Sequence, residues 1–228
     1  MIELNNVTKR YRKNRGVENI SFTLEKGKIV ALVGANGAGK STLIKLLTGQ
    51  IKLDGGEIVG LEEGDLRYMP DDLTFPDTLT AYEILALLGS LKKVSKDRLA
   101  EVLHIVGLTE ASRLKVSQFS KGMRQRLNLA QSLLGDGELY VLDEPTNGLD
   151  PFWIATLKRM LIDEKKNGQM VLFSTHLLSL AEEIADEVIM IHDGQLLEQG
   201  AIHELLERYH CETLEQVWLT CTEKEAAR

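Results

Sequence analysis

The stretch GANGAGKST, Gly34 to Thr42, lies directly after the apolar run IVALV and directly before a helix-like run that begins at Lys40. Its glycines permit left-handed backbone angles and let the main chain approach another group closely. A continuous apolar run of this length is typical of a strand buried on both faces of a parallel sheet. The stretch therefore predicts an α/β fold with a glycine-rich turn between a buried strand and a helix.

The same stretch matches the phosphate-binding pattern G-x-x-x-x-G-K-[ST]. Successive backbone N–H groups of such a loop wrap a phosphate, and the following helix adds its positive N-terminal end. We expect Lys40 to reach the β and γ oxygens of ATP and Ser41 to offer its hydroxyl to Mg²⁺. The predicted nucleotide-binding residues of the loop are Gly34, Ala35, Asn36, Gly37, Ala38, Gly39, Lys40, Ser41 and Thr42.

A second buried run, LYVL, ends in the acidic pair Asp143 and Glu144. We expect Asp143 to hold Mg²⁺ through water, as the usual partner of the loop serine. Glu144 is predicted to polarise the attacking water as a general base. The alternative for this pair is a simple strand-end turn, because Asp and Pro favour turns.

A third buried run, MVLFS, is followed by His176. In open α/β sheets ligands sit beyond the carboxyl ends of the strands. The position predicts that His176 hydrogen-bonds the γ-phosphate and holds the attacking water. A purely structural histidine is the alternative.

The remaining pattern predicts one domain over residues 1–228, an α/β P-loop NTPase core with a mostly parallel sheet. Antiparallel strands at the start of the chain and near Gln195 are expected to form a flanking β-subdomain. Residues 71–134 are helix-like without a strand and predict an inserted α-helical subdomain. The nucleotide-binding core with its β-subdomain then comprises residues 1–70 and 135–228.

Composition limits the classes of partner. The net charge of −7 and pI of about 5.4 argue against nucleic-acid binding, which favours a basic face. One short basic run, KRYRKNR from Lys9 to Arg15, reads either as a solvated turn or as a local anion site. No apolar stretch nears the roughly 18 residues that span a bilayer, and no signal pattern opens the chain. We expect a cytoplasmic chain without direct bilayer insertion, whose Cys211 and Cys221 are free thiols.

The segment FSKGMRQRLNLAQSLL, Phe119 to Leu134, resembles the signature segment of the ATP-binding-cassette (ABC) family, usually L-S-G-G-Q. With GANGAGKST, VLDEPTNGLD and STH in this order, nearly the whole chain resembles the nucleotide-binding subunit of an ABC transporter. SKGMRQR is similar to the branch found in two-component exporters and related resistance or copper-processing systems. The closing TLEQVWL, Thr213 to Leu219, is similar to a short final helix of that branch.

The resemblance implies a head-to-tail homodimer that sandwiches two ATP molecules. Ser120 and Gly122 would reach the γ-phosphate of the partner subunit's ATP from the N-terminus of the signature helix. Asp150 would lie in the loop that couples the two sites. Tyr11 would stack on the adenine, unless it is a plain surface tyrosine.

The chain departs from the family pattern at several positions. Lys121 and Met123 replace a glycine and the glutamine of the signature. Asp71 stands where the family has a glutamine that contacts Mg²⁺ and the attacking water. A carboxylate is a suitable oxygen ligand for Mg²⁺, so Asp71 is predicted as a metal ligand. The alternative is that Asp71 points to solvent and merely ends its strand.

The function implied is an Mg²⁺-dependent ATPase subunit that powers a separate integral membrane permease and sits peripherally on the inner face of the membrane. Residues 71–134 would provide the docking face for that permease, although their apolar positions could equally be internal packing. The alternative is a soluble ABC ATPase of an assembly system, such as an iron–sulfur scaffold. A binding switch without turnover is disfavoured by Glu144.

Overall fold

The computed structural model describes residues 1–11, 15–62 and 64–226. The basic run predicted from Lys9 to Arg15 includes residues 12–14, which lie outside the described residues. The chain divides into two compact units. The first unit comprises residues 1–62 and 160–228, and the second comprises residues 63–159.

Strands and helices alternate along the chain, with a cluster of helices between β5 and β6. The strands are β1 (Ile2–Tyr11), β2 (Arg15–Leu24), β3 (Ile29–Val33), β4 (Gly55–Val59), β5 (Leu66–Met69), β6 (Leu139–Leu142), β7 (Met170–Thr175), β8 (Glu187–His192) and β9 (Gln195–Ala201). The helices are α1 (Lys40–Leu47), α2 (Ala81–Leu91), α3 (Lys96–Ile105), α4 (Lys121–Ser132), α5 (Pro151–Lys166), α6 (Leu178–Ile184), α7 (Ile202–Tyr209) and α8 (Leu214–Ala226).

The first unit contains a three-stranded antiparallel sheet in the order β2-β1-β4. Ile2, Leu4 and Val7 of its central strand are buried, so the sheet has a packed apolar side. This sheet is the flanking antiparallel element that the start of the sequence predicts.

In the same unit β3 pairs in parallel with β7 on one side and with β8 on the other. Every residue of β3 and β7 is buried, as their continuous apolar runs predict. In the pairing of β3 with β7, Val33 lies opposite Thr175. The loop after Val33 and the histidine after Thr175 therefore leave the sheet at the same edge.

β9 pairs antiparallel with β8 and so belongs to the sheet that contains β3. The prediction that the strand near Gln195 joins the flanking sheet is wrong. The two strands are connected by Asp193 and Gly194, whose φ angles are 45° and 80°. Two left-handed residues form the tight hairpin turn whose twist suits antiparallel neighbours. Because the turn has only two residues, β9 must lie beside β8.

The second unit contains β5 and β6, which pair in parallel from Leu66 opposite Leu139 to Met69 opposite Leu142. The residues that follow these strands therefore leave at the same edge of the pair. The described residues between Pro70 and Leu134 form helices without a strand, as predicted, apart from a single bridge between Thr80 and Lys115.

The final helix is longer than the sequence predicts. The closing helix was expected from Thr213 to Leu219, but α8 runs from Leu214 to Ala226. Leu214, Val217 and Cys221 are buried, and their spacing of three and four residues gives the helix one continuous apolar face.

Cys211 and Cys221 are free thiols, which confirms the prediction made for the two cysteines. None of the helices in the described ranges has both the length and the apolarity needed to cross a bilayer. The α/β fold class with its antiparallel and helical parts is confirmed.

Candidate functional site

The glycine-rich loop of the first unit connects β3 to α1. Ala35, Asn36 and Gly37 are exposed at its middle, while the flanking Gly34 and Ala38 are buried. The Ala38 N–H donates to the Ala35 carbonyl at 3.1 Å and closes a turn. The loop is therefore fixed at both ends and offers its central backbone to solvent.

Two glycines of the loop are required by their surroundings. A Cβ on Gly34 would lie 2.5 Å from the Ile191 carbonyl oxygen. Gly39 has a φ of 117°, and a Cβ there would lie 2.7 Å from the Val17 side chain. Backbone atoms and a left-handed angle cannot accommodate a side chain at these positions, so the loop path depends on glycine.

Lys40 begins α1, and its side chain is buried. Its Nζ donates to the Gly34 carbonyl at 2.7 Å, so the ammonium group curls back over the loop. Ser41 is exposed one residue further, in the first turn of the helix. A positive charge, a hydroxyl and a helix N-terminus thus occur together in one segment, a combination that favours a phosphate ligand.

The two other predicted residues of the first unit lie at strand ends. His176 follows β7 and is exposed. The Leu177 N–H donates to the Thr175 hydroxyl at 3.0 Å, which turns the chain after the strand. Tyr11 ends β1 and is exposed, with 42% of its surface accessible.

The acidic pair of the second unit follows β6. Asp143 and Glu144 are only 4% and 7% exposed. The Asp143 N–H donates to the Met69 carbonyl at 2.8 Å, which ties the pair to the end of β5. Glu144 has a φ of 47°, an uncommon angle for a residue with a long side chain. Strained backbone of this kind clusters at active sites.

A side chain of α4 also supports the acidic pair. The Gln125 amide Nε2 donates to the carbonyls of Glu144 and Pro145 at 3.4 and 3.3 Å. The Asn147 N–H donates to the Glu144 carbonyl at 3.1 Å. These contacts hold the backbone that carries the Glu144 carboxylate.

Asp71 follows β5 at the same edge and is exposed, as is Asp72. The Asn147 Nδ2 donates to the Asp71 Oδ1 at 2.8 Å. Asp71 is therefore exposed to solvent and hydrogen-bonded to the loop after β6. The Asn128 Nδ2 donates to the Pro70 carbonyl at 2.6 Å, next to the same residue.

The signature segment forms the N-terminus of α4. Ser120 is the N-cap residue, and its hydroxyl oxygen accepts from the Met123 N–H at 3.2 Å. A Cβ on Gly122 would lie 3.0 Å from the Gly148 carbonyl oxygen. A Cβ on Gly148 would in turn meet the Lys121 side chain at 2.8 Å. The signature and the loop after β6 are therefore closely packed.

A cation–π contact that the sequence did not indicate anchors α4. The Arg126 guanidinium lies 4.3 Å from the centre of a Trp153 ring and donates to the carbonyls of Val106 and Gly107 at 3.0 Å each. Burial lowers the pKa of Arg126, and the nearby Asp150 opposes that shift.

The start of α5 is also capped. Asp150 Oδ1 accepts from the Trp153 N–H at 2.9 Å, in the manner of a helix N-cap. On α4, the spacing of the buried Gln125, Asn128 and Ser132 by three and four residues is a sequence signal that could have indicated a buried polar face.

The predicted residues thus fall into two groups. Tyr11, the loop Gly34–Thr42 and His176 belong to the first unit, while Asp71, Ser120, Gly122, Asp143 and Glu144 belong to the second. Within each unit the predicted residues follow strand ends or begin helices. The roles of these residues in binding and catalysis stay predictions.

Comparison with known proteins places this chain in a family. Residues 17–147 match the protein family described as "ABC transporter". The chain is 37% identical over 204 residues to the "Lantibiotic transport ATP-binding protein SrtF" of Streptococcus pyogenes, covering 86% of this chain and 89% of the relative. It is 36% identical over 220 residues to the "Bacitracin transport ATP-binding protein BcrA" of Bacillus licheniformis, covering 91% of this chain and 72% of the relative.

A solved structure described as "Structure of ATP binding subunit of ABC transporter" is similar over 97% of this chain and 99% of its own, with a TM-score of 0.89 and 28% identity. The fold, the order of motifs and these matches agree with the resemblance expected from the sequence. The chain belongs to the ABC transporter family and is one of its ATP-binding, ATP-hydrolysing subunits.

Proposed function

We propose that this subunit binds Mg²⁺-ATP on the loop Gly34–Thr42 and hydrolyses it with Glu144 as the general base. The observation that carries the proposal is the placement of Glu144, a buried carboxylate at the end of a parallel strand with a left-handed backbone held by Gln125. The fixed and desolvated position suits a group that must accept a proton from one particular water.

The phosphate groups of ATP are proposed to lie against the exposed backbone of the loop. Lys40 already contributes a hydrogen bond to the Gly34 carbonyl, which holds its ammonium group over the loop. Phosphate oxygens would compete for that ammonium group and gain a charge-assisted hydrogen bond. Tyr11, which is exposed at the end of β1, would stack on the adenine.

The proposed ligands of Mg²⁺ are the hydroxyl of Ser41 and the carboxylates of Asp143 and Asp71. All are oxygen donors, which this hard cation prefers. The described residues contain no group of three or more His, Cys, Asp or Glu side chains that could hold a metal ion. Mg²⁺ fits such a sparse set, since it is usually bound through one or two carboxylates with substrate phosphates and waters. When bound, it would neutralise charge on the β and γ oxygens.

In the proposed reaction the oxygen of the attacking water forms a bond to the γ-phosphorus, and Glu144 takes a proton from that water. The bond between the γ-phosphorus and the oxygen shared with the β-phosphate breaks, and that oxygen leaves with ADP. His176 donates a hydrogen bond to the γ-phosphate and keeps the water in place. The products are ADP and phosphate. Both residues follow buried strands.

A second copy of the chain is proposed to complete the site through its signature segment. The N-terminus of α4 has no acidic side chain in its first turn, and Ser120 and Lys121 are exposed there. A helix N-terminus with a hydroxyl and a cation favours an anion. Ser120 and Gly122 of one subunit would therefore contact the γ-phosphate bound to its partner, and ATP would drive dimerisation.

The subunit is proposed to power a separate integral membrane permease and to sit on the inner face of the membrane through it. Similar chains are named as lantibiotic and bacitracin transport proteins, which supports a transport role. Substrate choice would lie in the permease. A soluble ATPase of an assembly system is the competing function.

Purification of the tagged chain from its own cells separates these functions. Recovery from detergent-solubilised membranes together with a hydrophobic multi-spanning protein is expected. Recovery with cytosolic scaffold proteins alone would reject the transporter role.

The metal role of Asp71 has its own test. Asp71→Gln should lower the steepness with which ATPase activity depends on Mg²⁺, because a full negative charge is replaced by a neutral amide. Equal Mg²⁺ dependence in both proteins would reject Asp71 as a ligand.

A further inference from the structure

The turn after β5 is held by two asparagine amides from different parts of the second unit. Asn128 of α4 donates to the Pro70 carbonyl at 2.6 Å. Asn147, in the loop after β6, donates to the Asp71 Oδ1 at 2.8 Å. One amide therefore fixes the backbone immediately before Asp71, and the other fixes its carboxylate.

Asn128 is part of a polar stripe along α4. Arg124, Asn128 and Gln131 are spaced by four and three residues, so they share one face of the helix. Arg124 bonds the Asp77 carboxylate at 2.9 Å, and Gln131 donates to the Tyr68 carbonyl at 2.8 Å. Through these three side chains the signature helix contacts the chain segments before and after Asp71.

The orientation of the Asn128 amide is also fixed. The Gln131 Nε2 donates to the Asn128 Oδ1 at 3.3 Å, which leaves the Asn128 Nδ2 directed at the Pro70 carbonyl. Asn128 is only 2% exposed. Burying an amide costs free energy unless the amide is hydrogen-bonded. An apolar side chain at the same buried position of α4 would need no such partner. The amide is therefore best explained by what it holds.

Asn147 connects the same turn to the acidic pair. Its backbone N–H donates to the Glu144 carbonyl, while its side chain holds Asp71. Gln125 of α4 donates to the Glu144 carbonyl as well. The backbone before Asp71 and the backbone of Glu144 thus both accept hydrogen bonds from side chains of α4, whose N-terminus is the signature segment.

We infer that Asn128 and Asn147 are positioning residues that hold the Asp71 carboxylate for the divalent cation and tie its position to the signature helix. A carboxylate has about four lone-pair sites, so the single bond from Asn147 leaves it able to bind a cation. The inference rests on the proposed metal role of Asp71. It adds that one amide holds the backbone before Asp71 and that the other holds its carboxylate.

The test measures metal-dependent nucleotide affinity on the full-length chain. A non-hydrolysable ATP analogue is titrated in EDTA and in saturating Mg²⁺ or Mn²⁺, and the ratio of the two dissociation constants gives the gain from metal. Asn147→Leu and Asn128→Leu should reduce this gain by about two- to tenfold, because each variant removes one hydrogen bond of ordinary strength. The affinity in EDTA should not change.

Arg124→Met is the matched control, because it removes a hydrogen bond from the same face of α4. Its target is the exposed carboxylate of Asp77, six residues after Asp71. This variant should keep the full gain from metal. Asn147→Gln, which retains an amide donor, should recover part of the gain that Asn147→Leu loses.

A double-mutant cycle with Asp71→Ala separates the possible failures. If the amides act through Asp71, then Asn147→Leu has no further effect on the gain once Asp71 is Ala. If Asp71→Ala lowers the gain but neither amide variant does, the positioning inference is overturned and the metal role stands. If Asp71→Ala leaves the gain unchanged, the metal role itself is wrong and the inference falls with it. Because Asn147 is less buried than Asn128, its variants keep the test decisive if Asn128→Leu fails to fold.

Discussion

Arg126→Met tests how firmly the signature helix is anchored within its unit. In the native chain one Arg126 nitrogen donates to two carbonyls at the end of α3, and the guanidinium stacks on Trp153 at the start of α5. Methionine keeps most of the aliphatic stem of arginine but has neither the donors nor the charge. The variant therefore removes the links between α4 and two neighbouring helices.

The expected cost follows from these contacts. A hydrogen bond from a charged donor contributes about 1.5–3 kcal/mol, and the two bonds share one nitrogen, so they are counted once. The cation–π contact contributes about 0.5–2 kcal/mol. Gly107 is exposed, so its carbonyl regains water when Arg126 is removed. With that offset we expect a loss of about 2–3 kcal/mol, which is about 4–12 °C in melting temperature for a chain of this size.

The assay is urea unfolding followed by tryptophan fluorescence. The chain has two tryptophans, Trp153 in the second unit and Trp218 in the first. In a Trp218→Phe background, Trp153 reports on the second unit alone. Arg124→Met is the control, because it removes a charge from the same helix at an exposed ion pair with Asp77, which is worth at most about 1 kcal/mol. Equal losses for the two variants would refute the anchoring role.

Three further predictions concern ligand binding and stability. Lys40→Met should weaken ATP binding at least about tenfold, because a charged hydrogen-bond donor to phosphate is lost; unchanged affinity for a fluorescent ATP analogue would exclude that role. Tyr11→Ala should weaken the same analogue about two- to tenfold through lost stacking, whereas Tyr11→Phe should not; equal effects of both would reject stacking. In the capping box of α2, the Glu83 carboxylate accepts hydrogen bonds from the Thr80 N–H and from the Thr80 hydroxyl. Both bonds lower the pKa of Glu83, and the bond from the N–H has the larger effect. The Glu83 carboxylate therefore stabilises the fold at pH values above its pKa in the unfolded chain, which is about 4.3. This contribution is lost as the pH falls through the lowered pKa of the folded chain. Glu83→Gln keeps the cap but does not titrate, so urea unfolding between about pH 3 and 7 should show a shallower acid-side decline; identical pH profiles would contradict the assignment.

The sequence predicted the parts of the fold that local pattern determines. The five apolar residues of β3 and the glycine-rich loop gave the strand, the turn and the start of α1 at Lys40. The acidic pair after β6 was predictable for the same reason, because a short apolar run ending in Asp143 indicates a buried parallel strand. These features depend on residues adjacent in sequence.

The pairing of β9 with β8 was predicted wrongly, although it is local and the dipeptide Asp193-Gly194 is a strong signal for a two-residue hairpin turn.

Features that depend on distant contacts were not predictable. The amide of Asn128 looks like an ordinary polar residue in a helix, and its partner Pro70 lies 58 residues earlier. The stacking of Arg126 on Trp153 likewise requires that α4 and α5 be adjacent. Such contacts follow from tertiary packing rather than from local pattern.

The replacement Glu144→Gln tests most directly whether this subunit hydrolyses ATP with Glu144 as the base. Glutamine has the same shape and can occupy the same backbone, but it cannot take a proton from water. The measurement is the steady-state release of phosphate at saturating Mg²⁺-ATP, together with ATP affinity on the same preparation. We predict a fall in turnover of at least about a hundredfold with ATP affinity retained. Turnover equal to that of the native chain would contradict the proposed mechanism.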